Sequence, residues 1–558
     1  MKRVPLALAL ILALSISTLI GVVNFGAVSA TDVAGIIGSD TTWTKASSPY
    51  SLTGNVLVYG GATLTIEAGV TVNFNSYYIM VNDTLRALGS GTDKLQFNDG
   101  EITFTEYSSG WNESTGSGCL VDNAVFNSTS VDASMASPKI SSSSIEGITV
   151  GNSTILLQNT LSNGVIVDNG VPTVSYNTIS DTVNVMGGSP VISHNTISAD
   201  FYTAFASPVV SQNTISGWVH TWESSPVISH NTISGEVEVI DGSGLISDNV
   251  ISGEVNLRAE GPELVLSHNE ISNGVLVSKG SVTISNNTIN GGINFAPLNS
   301  MTVYASVANN TITGSEVGIN IVPSSTIFLY GYHTEAVITG NTIYECTTAG
   351  VKVGPSTNTA VIEGNMIAYC EHGIDGGDTV QNNVIAYNTY GVSVSSIPVE
   401  GNTIFNNQYG IIGGSLIKGN AIFDNQYGIN GGNEILNNTI INNVVGVTSS
   451  FTNLNFNNIY NNTEYNVDYL SASNANATYN WWGTTDTEAI NQTIYDFKND
   501  FNLGKVNFVP FLNKPNPDVP PPETPPIVPD SPTLLLTSIL MTATLAAGLL
   551  YKKKRQQH

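Results

Sequence analysis

A short phrase returns at a fixed interval along the middle of this 558-residue chain. It reads Y-N-T-I-S, H-N-T-I-S, Q-N-T-I-S, H-N-T-I-S and D-N-V-I-S, and its asparagines, eighteen residues apart, are Asn177, Asn195, Asn213, Asn231 and Asn249. A fixed period of this kind means that one supersecondary unit is repeated and that each copy stacks on its neighbour. The chain is therefore predicted to form an elongated repeat array, not a set of compact domains.

The composition favours strands within each repeat. Only 11% of the residues are charged. Val, Ile and Thr favour strands, and the abundant Asn, Ser and Gly favour turns. Eighteen residues suit one triangular coil, in which alternate Ile or Val side chains fill the core and a corner Asn bonds the same Asn in the next coil. About twenty such coils, spaced by ~4.8 Å, would make an all-β rod ~95 Å long.

Asparagine landmarks continue beyond the opening repeats, at Asn269, Asn287, Asn310, Asn341, Asn365, Asn383, Asn402, Asn420, Asn438 and Asn458. The steps that begin at Asn287, Asn310 and Asn341 are longer than the rest. A solenoid keeps its coil constant and accommodates extra residues in loops on one side, so these coils are predicted to carry insertions. The longest insertion is a second candidate binding site, with a disordered or packing loop as the alternative; its side chains include Phe328, Tyr330, Tyr332, His333 and Glu335.

From Asn365 the phrase expands to N-x-I-x-x-N-x-x-G-[IV]. This form resembles the parallel β-helix repeat of the carbohydrate-binding and sugar-hydrolase family, and of periplasmic copper-enzyme maturation proteins. Residues 41–72 resemble the opening of archaeal and bacterial right-handed β-helix surface proteins, and Asn480-Trp481-Trp482-Gly483 resembles the phrase that closes such arrays. The resemblance implies a right-handed parallel β-helix with coils of 18 to 24 residues, displayed on an archaeal cell surface.

The two ends of the chain indicate export and anchoring. Residues 1–30 have the basic start, apolar run and small residues of a cleavable signal peptide, although an uncleaved N-terminal anchor is the alternative. Residues 533–551 carry no charge and are predicted to span a membrane, with 552–558 as a basic cytoplasmic tail. This ending also resembles an archaeal sorting signal, in which the helix would be removed and replaced by a lipid. The sequence is compatible with a retained helix and with a helix that is removed.

Between these ends the sequence predicts three regions. Residues 31–110 form the N-terminal cap and first coils, 111–512 form the β-helix with a C-terminal cap near 475–512, and 513–532 form a Pro-rich stalk reaching ~55 Å. Trp481 and Trp482 are expected to cap the last coil, with sugar contact as the alternative reading.

The region between the terminal segments is strongly acidic. It holds all 43 acidic residues but only 11 of the 17 basic ones, a net charge of −32. Such a surface repels nucleic acid and polyuronate unless cations intervene, so no nucleic-acid partner is expected. Ten N-x-[ST] sequons make an exported chain a candidate glycoprotein; they are at Asn82, Asn112, Asn127, Asn152, Asn286, Asn309, Asn437, Asn461, Asn476 and Asn491.

Counting in eighteens aligns the side chains of successive coils. An apolar column points inward, formed by Val183, Phe201, Val219, Val237, Val255 and Val275. Its neighbours point outward and place on one face Tyr202, Trp218, His220, Trp222, Glu236, Glu238, Glu254 and Arg258. Exposed rings beside carboxylates suit sugar, which predicts ligand contacts from Tyr202, Trp218, Trp222 and Glu238.

The same face also carries the weak candidates for catalysis, Glu236, Glu254, His220 and Arg258. Glu236 and Glu254 are expected ~5 Å apart, near the spacing of a retaining glycosidase pair. The alternative is that these stacked carboxylates are only a solvated acidic face, or weak Ca²⁺ ligands. No other cofactor is expected. The column of His194, Gln212, His230, Asp248 and His268 puts its histidines ~9.6 Å apart, too far to share a metal.

Two cysteines occupy equivalent positions, because Cys346 and Cys370 each follow a landmark Asn by five residues. Adjacent coils would place their Cα atoms ~4.8 Å apart, inside the disulfide range, so a bridge is expected in an exported protein. Two buried free thiols are the alternative. Cys119 has no partner, which argues against a copper or zinc site.

Known catalytic patterns of β-helix enzymes are missing. The chain has no Asp-Asp pair and no R-x-K motif. Its only arginines between the terminal segments are Arg86 and Arg258. The sequence therefore favours a cell-surface-anchored protein with a structural, adhesive or glycan-binding role. Two alternatives are a polysaccharide lyase or glycoside hydrolase acting on the outward face of coils 200–258, and a component of surface-layer assembly that contacts other surface-layer proteins.

Overall fold

A computed structural model describes residues 29–297, 301–322, 333–354, 358–521 and 526–528. The chain divides into two compact units, Met1–Thr173 and Val174–His558. Both units are parallel β-solenoids, together about 23 turns. The all-β class is confirmed. The helical elements of the described residues are a 3-10 turn, Lys45–Ser47, and one α-helix, Thr487–Gln492.

The strands of the first unit form two parallel series. One series contains Thr41–Trp43, Thr63–Ile66, Thr84–Leu88, Leu120–Asp122, Lys139–Ser141 and Ile155–Leu157. The other contains Thr31–Ile37, Tyr50–Val58, Thr71–Asn73, Tyr78–Val81, Leu95–Phe104, Ala124–Ala133, Ser144–Ile145, Ile148–Val150, Thr160–Leu161 and Val165–Val167. Phenylalanines fill this core, with the Phe97 ring 5.0 Å from that of Phe126. Gly100 makes room for Phe74, because an added Cβ would lie 2.1 Å from the Phe74 Cβ.

The second unit has three sheets, one on each side of the triangular coil. The sheet that follows each landmark Asn is called the ladder sheet; its strands are Thr178–Ile179, Thr196–Ile197, Thr214–Ile215, Thr232–Ile233, Val250–Ile251, Glu270–Ile271, Thr288–Asn290, Thr311–Thr313, Thr342–Tyr344, Met366–Ala368, Val384–Ala386, Thr403–Phe405, Ala421–Phe423, Thr439–Ile441 and Asn458–Tyr460. Short strands at a constant register follow from the eighteen-residue period.

The next sheet along each coil is called the front sheet. Its strands are Val183–Val185, Phe201–Ala204, Val219–Trp222, Val237–Ser247, Val255–Ser267, Val275–Ser285, Ile293–Phe295, Val317–Ile321, Ala349–Val353, His372–Asp375, Tyr390–Val394, Tyr409–Gly413, Tyr427–Asn430, Val445–Ser449, Tyr465–Tyr469 and Ile494–Tyr495. The predicted inward column holds, since Val183, Val219 and Val237 are each 0% exposed.

The third side is the back sheet, which shares the three long strands that begin at Val237, Val255 and Val275. Its other strands are Thr173–Ser175, Val191–Ser193, Val209–Ser211, Val227–Ser229, Thr302–Ala308, His333–Thr339, Thr359–Glu363, Thr379–Gln381, Pro398–Glu400, Leu416–Lys418, Glu434–Leu436, Asn453–Asn455, Ala475–Asn476 and Val506–Asn507. The longer coils place their extra residues between front and back strands, after Phe295, Ile321 and Val353. The expectation of insertions on one side is therefore confirmed.

A ladder of buried asparagines joins the coils of the second unit. In each step the side-chain Nδ2 donates to the Oδ1 of the next Asn at 2.9–3.1 Å, and the backbone N donates to the same oxygen. The residue before each Asn adopts the left-handed conformation, as at His194 with φ 57. The ladder member near the end is Asn457, not the expected Asn458, and Asn480 is the last.

The final coil is covered by the segment that contains the α-helix. Asp486 caps this helix by accepting from the backbone N of Glu488 and Ala489. The Trp482 ring is buried at 3% exposure, 6.4 Å from the Phe508 ring. This is the position at which the sequence expects a cap.

The Pro-rich region does not stand free of the solenoid where it is described. Asn516 donates its backbone N to Asn458 Oδ1 at 2.8 Å, Thr439 donates its hydroxyl to Pro520 O, and Val528 packs on the ladder sheet. The predicted free stalk over 513–532 is therefore wrong for these residues, because they find apolar and hydrogen-bonding partners on the coils. We call residues 512–521 and 526–528 the strap.

The structure does not describe most of the predicted signal peptide or the predicted membrane segment. Residues 1–28 of the predicted signal, the segment 533–551 and the tail 552–558 lie outside the described residues. Within the described part of the chain, no helix is long and apolar enough to cross a membrane.

Candidate functional site

The candidate face is the outer surface of the front sheet. Parallel pairing places Tyr202 beside His220, His220 beside Glu238 and Glu238 beside Asn256. A second column runs from Trp222 through Ile240 to Arg258. The eighteen-residue count therefore predicts these neighbours correctly.

Two exposed indoles lie at the start and end of one strand of this face, Trp218 directly before Val219–Trp222 and Trp222 as its last residue. Trp218 is 47% and Trp222 is 40% exposed. The Trp218 ring lies 5.2 Å from the His220 ring, and the Trp222 ring lies 5.1 Å from Phe205. The Trp218 backbone N donates to Asp200 Oδ1 at 2.7 Å. Four residue steps of extended chain separate the two indoles, about 13 Å, so they form two stacking platforms along the strand direction.

Between the platforms, Glu238 is the centre of a polar network. Its Oε2 lies 3.1 Å from His220 Nδ1, and its Oε1 lies 3.5 Å from Arg258 Nη2. Asn256 Nδ2 donates to the same Oε1 at 3.4 Å. Among the described residues, Arg258 Nε and Asn256 Oδ1 are buried without a hydrogen-bond partner. The network therefore holds donors and acceptors in fixed positions while one of each is unsatisfied.

The two glutamates proposed as a catalytic pair occupy the same position in neighbouring coils. Val219 N donates to Glu236 O and Val237 N donates to Glu254 O. Burial raises the pKa of the Glu254 carboxyl above its usual value, and the charge of Glu236 raises this pKa further. A carboxyl that is easier to protonate beside an ionised one is the asymmetry that acid–base chemistry uses.

The outward column continues beyond the predicted face, which the sequence interpretation missed. Asn294 pairs with Asn320, Asn320 with Lys352 and Lys352 with Asp375. Asn320 Nδ2 donates to Asn294 Oδ1 at 3.2 Å. A cavity of about 290 Å³ opens here, lined by Gly291, Asn294, Glu316, Val317, Asn320, Val322, Thr348 and Lys352. The register through the longer coils was the signal that could have identified it.

Farther along the same sheet, His372, Tyr390, Tyr409 and Tyr427 stack in one column. Their successive ring centroids are 4.5, 5.4 and 4.9 Å apart. The repeated Tyr-Gly dipeptides at Tyr390, Tyr409 and Tyr427 were the sequence signal for this column. Because the rings cover one another's faces, they present edges and hydroxyls to solvent, unlike the two indoles.

Only part of the second candidate site is described. Tyr330 and Tyr332 are outside the described residues. His333 Nε2 lies 2.9 Å from Glu335 Oε1 on the back sheet. Glu335 lines a cavity of about 430 Å³ that also contains Tyr304 and Asp378. His333 and Glu335 therefore do not lie on the front-sheet face.

The cysteines are free thiols, so the predicted disulfide between Cys346 and Cys370 is not formed. Cys370 Sγ lies 3.3 Å from Ala368 O and Cys346 Sγ lies 3.8 Å from Tyr344 O, the contact that Asn388 makes with Ala386 O in the next coil. The thiols thus occupy the position that asparagines take in later coils, where Asn388, Asn407, Asn425 and Asn443 form a second ladder of side-chain hydrogen bonds. Contact with the Cys346 thiol, together with burial, raises the pKa of Cys370. Burial raises the pKa of Cys119 to about 11.

The sequons differ in exposure. Those of Asn112, Asn127, Asn152, Asn286, Asn309, Asn461 and Asn476 are exposed, whereas those of Asn82, Asn437 and Asn491 are half-buried. The histidines of the corner column, His194, His230 and His268, are exposed at left-handed corner positions. Over the described ranges, no group of three or more His, Cys, Asp or Glu residues is arranged to hold a metal ion.

Comparison with known proteins agrees with the geometry. Residues 324–415 match the family model described as a right handed beta helix region. No curated protein and no solved structure matches the chain. The fold is thus a right-handed parallel β-solenoid.

Proposed function

We propose that this protein is exported, anchored to a membrane and displayed on the cell surface, and that its front sheet binds a glycan. The observation that carries the binding is the exposed pair Trp218 and Trp222 beside the Glu238 network. Indoles stack on the apolar faces of sugar rings, and the carboxylate, imidazole and guanidinium groups bond the hydroxyls. The apolar termini and the sequons support the location.

Charge narrows the class of glycan. The region between the terminal segments has a net charge of −32, which repels a polyuronate. Arg258 is already engaged by Glu238 and does not supply a free cation for a carboxylated sugar. A neutral, hydroxyl-rich polysaccharide fits this face best.

A glycan array of neutral and acidic oligosaccharides tests the proposal. The Trp218→Ala, Trp222→Ala double variant should lose binding at least tenfold, because both stacking platforms are removed. Tyr107→Ala is the matched control, since the Tyr107 ring is 70% exposed and lies in the first unit, outside the front sheet. Binding that survives in the double variant would exclude the front-sheet face.

A second candidate function is glycoside hydrolysis, favoured by the raised pKa of Glu254 beside Glu236. In that reaction the protonated carboxyl would act as acid and the ionised one as nucleophile. A reducing-end assay on any bound glycan tests it, with Glu254→Gln and Glu236→Gln as variants that should bind without cleaving. A wild-type protein that releases no reducing ends is a binder only.

A further inference from the structure

A cavity of about 420 Å³ opens on the outer surface of the first unit. It belongs to three successive coils, whose paired strands at this point are Tyr78–Val81, Leu95–Phe104 and Ala124–Ala133. Pockets for small molecules have volumes of about 300–1,000 Å³, so this cavity can hold a small organic ligand. The residues that line it are Ser76, Tyr77, Tyr78, Asp99, Gly100, Glu101, Ser128 and Ser130.

The cavity arises because the first of these coils has a longer corner than the next two. Asn73 pairs with Asn98, and Tyr78 pairs with Glu101. Four residues of the first coil, 74–77, therefore lie opposite only two residues of the second coil, and the corner of the third coil matches that of the second. The extra residues stand out from the corner and form one wall of the cavity.

Two tyrosines give this wall an aromatic surface. Tyr77 is 39% exposed. Tyr78 precedes the buried Ile79 in its strand and is half-buried, so its side chain points outward. The face of an aromatic ring carries negative electrostatic potential and attracts a cation that lies within about 6 Å of the ring centroid. The two rings therefore favour a ligand with positive charge.

Two carboxylates lie in the same cavity, and their charge is not neutralised. Glu101 is paired with Tyr78 in the neighbouring coil, ~4.8 Å away. Among the described residues, neither Asp99 nor Glu101 forms an ion pair. Glu101 Oε1 accepts from the Thr103 hydroxyl at 3.1 Å, a neutral partner that leaves the charge in place. The cavity thus combines aromatic faces with uncompensated negative charge.

We propose that this cavity binds an organic ammonium ion, a primary or quaternary amine on a small polar molecule. The carboxylates attract the charge, the rings contact the methyl or methylene groups around it, and the serine hydroxyls bond the polar remainder. A bare metal ion does not fit, because Ca²⁺ takes about six to eight oxygen ligands. Over the described ranges, no group of three or more His, Cys, Asp or Glu residues is arranged to hold one.

This site does not depend on the front-sheet face. All of its lining residues belong to the first unit, whereas Trp218, Trp222 and Glu238 belong to the second. Loss of glycan binding would therefore leave the ammonium site untouched, and the two proposals fail separately.

Titration calorimetry of the full chain tests the site with choline and ethanolamine, a quaternary and a primary amine. The control ligand is the neutral isostere of choline, in which a carbon atom replaces the ammonium nitrogen. At least one amine should bind saturably, and the isostere at least tenfold more weakly than choline if choline is the one that binds. The Asp99→Asn, Glu101→Gln variant should lose binding at least tenfold. Asn tolerates the left-handed φ of 60 at residue 99, so the corner is kept.

Matched variants separate a built site from an acidic surface. Asp168→Asn removes an exposed carboxylate elsewhere in the first unit and should leave amine binding unchanged. Tyr77→Leu should weaken amine binding severalfold because the ring face is lost, whereas Tyr77→Phe keeps the face and should bind like the wild type. The proposal is overturned if neither amine binds, if the neutral isostere binds as well as choline, or if Tyr77→Leu binds as tightly as Tyr77→Phe.

Discussion

His220 Nδ1 lies 3.1 Å from Glu238 Oε2, across two neighbouring coils of the front sheet. Glu238 also pairs with the Arg258 guanidinium and accepts a hydrogen bond from Asn256 Nδ2. Its side chain is only 18% exposed. A carboxylate shared among three donors keeps the imidazole and guanidinium in place. The arrangement is therefore more ordered than a solvated acidic face requires.

Glu238→Gln should weaken glycan binding about tenfold, because one acceptor oxygen is lost and hydrogen bonds to charged groups contribute about 1.5–3 kcal/mol. Titration calorimetry with an oligosaccharide selected on the array measures the effect. Glu270→Gln, which removes an exposed carboxylate from the ladder sheet, is the control. Equal affinities for the two variants would mean that the network does not contact the glycan.

Glu254 predicts a pH-dependent stability. Burial, and then the charge of Glu236, raises its folded-state pKa above the unfolded value. The stabilising contribution of this carboxyl is therefore full below the unfolded pKa and is lost as pH rises through the folded pKa. Glu254→Gln should raise the thermal midpoint more at pH 7 than at pH 4. Calorimetry at both values, with Glu270→Gln as control, checks the difference; a gain that is equal at both pH values would contradict it.

The sequence predicts the strand register of the solenoid, but it does not predict which side chains bond one another. The count from Asn177 puts Tyr202, His220, Glu238 and Asn256 in one column, because a parallel solenoid pairs equivalent residues. That Glu238 becomes the shared acceptor depends on side-chain rotamers, which a period does not encode. Where two asparagines are adjacent, the landmark count predicts Asn458, whereas the N-x-I pattern selects Asn457, which is the residue that joins the ladder.

The docking of the strap is likewise a contact that the sequence does not predict. Proline composition predicts an extended conformation but not where an extended segment docks. Its partners, Phe405, Phe423 and Ile441, come from three coils and form a surface only after the solenoid has assembled. The thiols of Cys346 and Cys370 are a further case, since spacing places them in adjacent coils but does not decide their redox state.

Glycan mapping checks the docked strap. Asn437 lies in a sequon, yet its Oδ1 accepts from Asn516 Nδ2 at 3.5 Å, and the Thr439 hydroxyl of the same sequon donates to Pro520 O. We expect occupancy at the exposed Asn286 and Asn309 and none at Asn437. Peptide mass mapping of protein from its native host measures the three sites. Full occupancy at Asn437 would be incompatible with the strap lying where it does.

Thr221 points into the core of the second unit. It is 1% exposed, and among the described residues its Oγ1 has no hydrogen-bond partner. A buried hydroxyl without a partner costs roughly 1–3 kcal/mol. Thr221→Val keeps the shape and removes the hydroxyl, so the free energy of unfolding should rise by about 1 kcal/mol. Denaturant titration measures it, and Thr232→Val at an exposed ladder-sheet position is the matched control; a loss of stability at residue 221 would show that the hydroxyl is satisfied.

Asn231 should be among the costliest positions to change. Its Oδ1 accepts from the backbone and side chain of Asn213, and its Nδ2 donates to Asn249 Oδ1, Val210 O and Ser229 O. Asn231→Ala leaves several of these buried groups unpaired, and each costs roughly 1–3 kcal/mol. We expect the free energy of unfolding to fall by about 3 kcal/mol or more, measured by denaturant titration. Thr232→Ala, one residue along and exposed, should change it by less than about 1 kcal/mol. Similar losses for both variants would mean that the coils are held by the strands alone and that the ladder only marks their register.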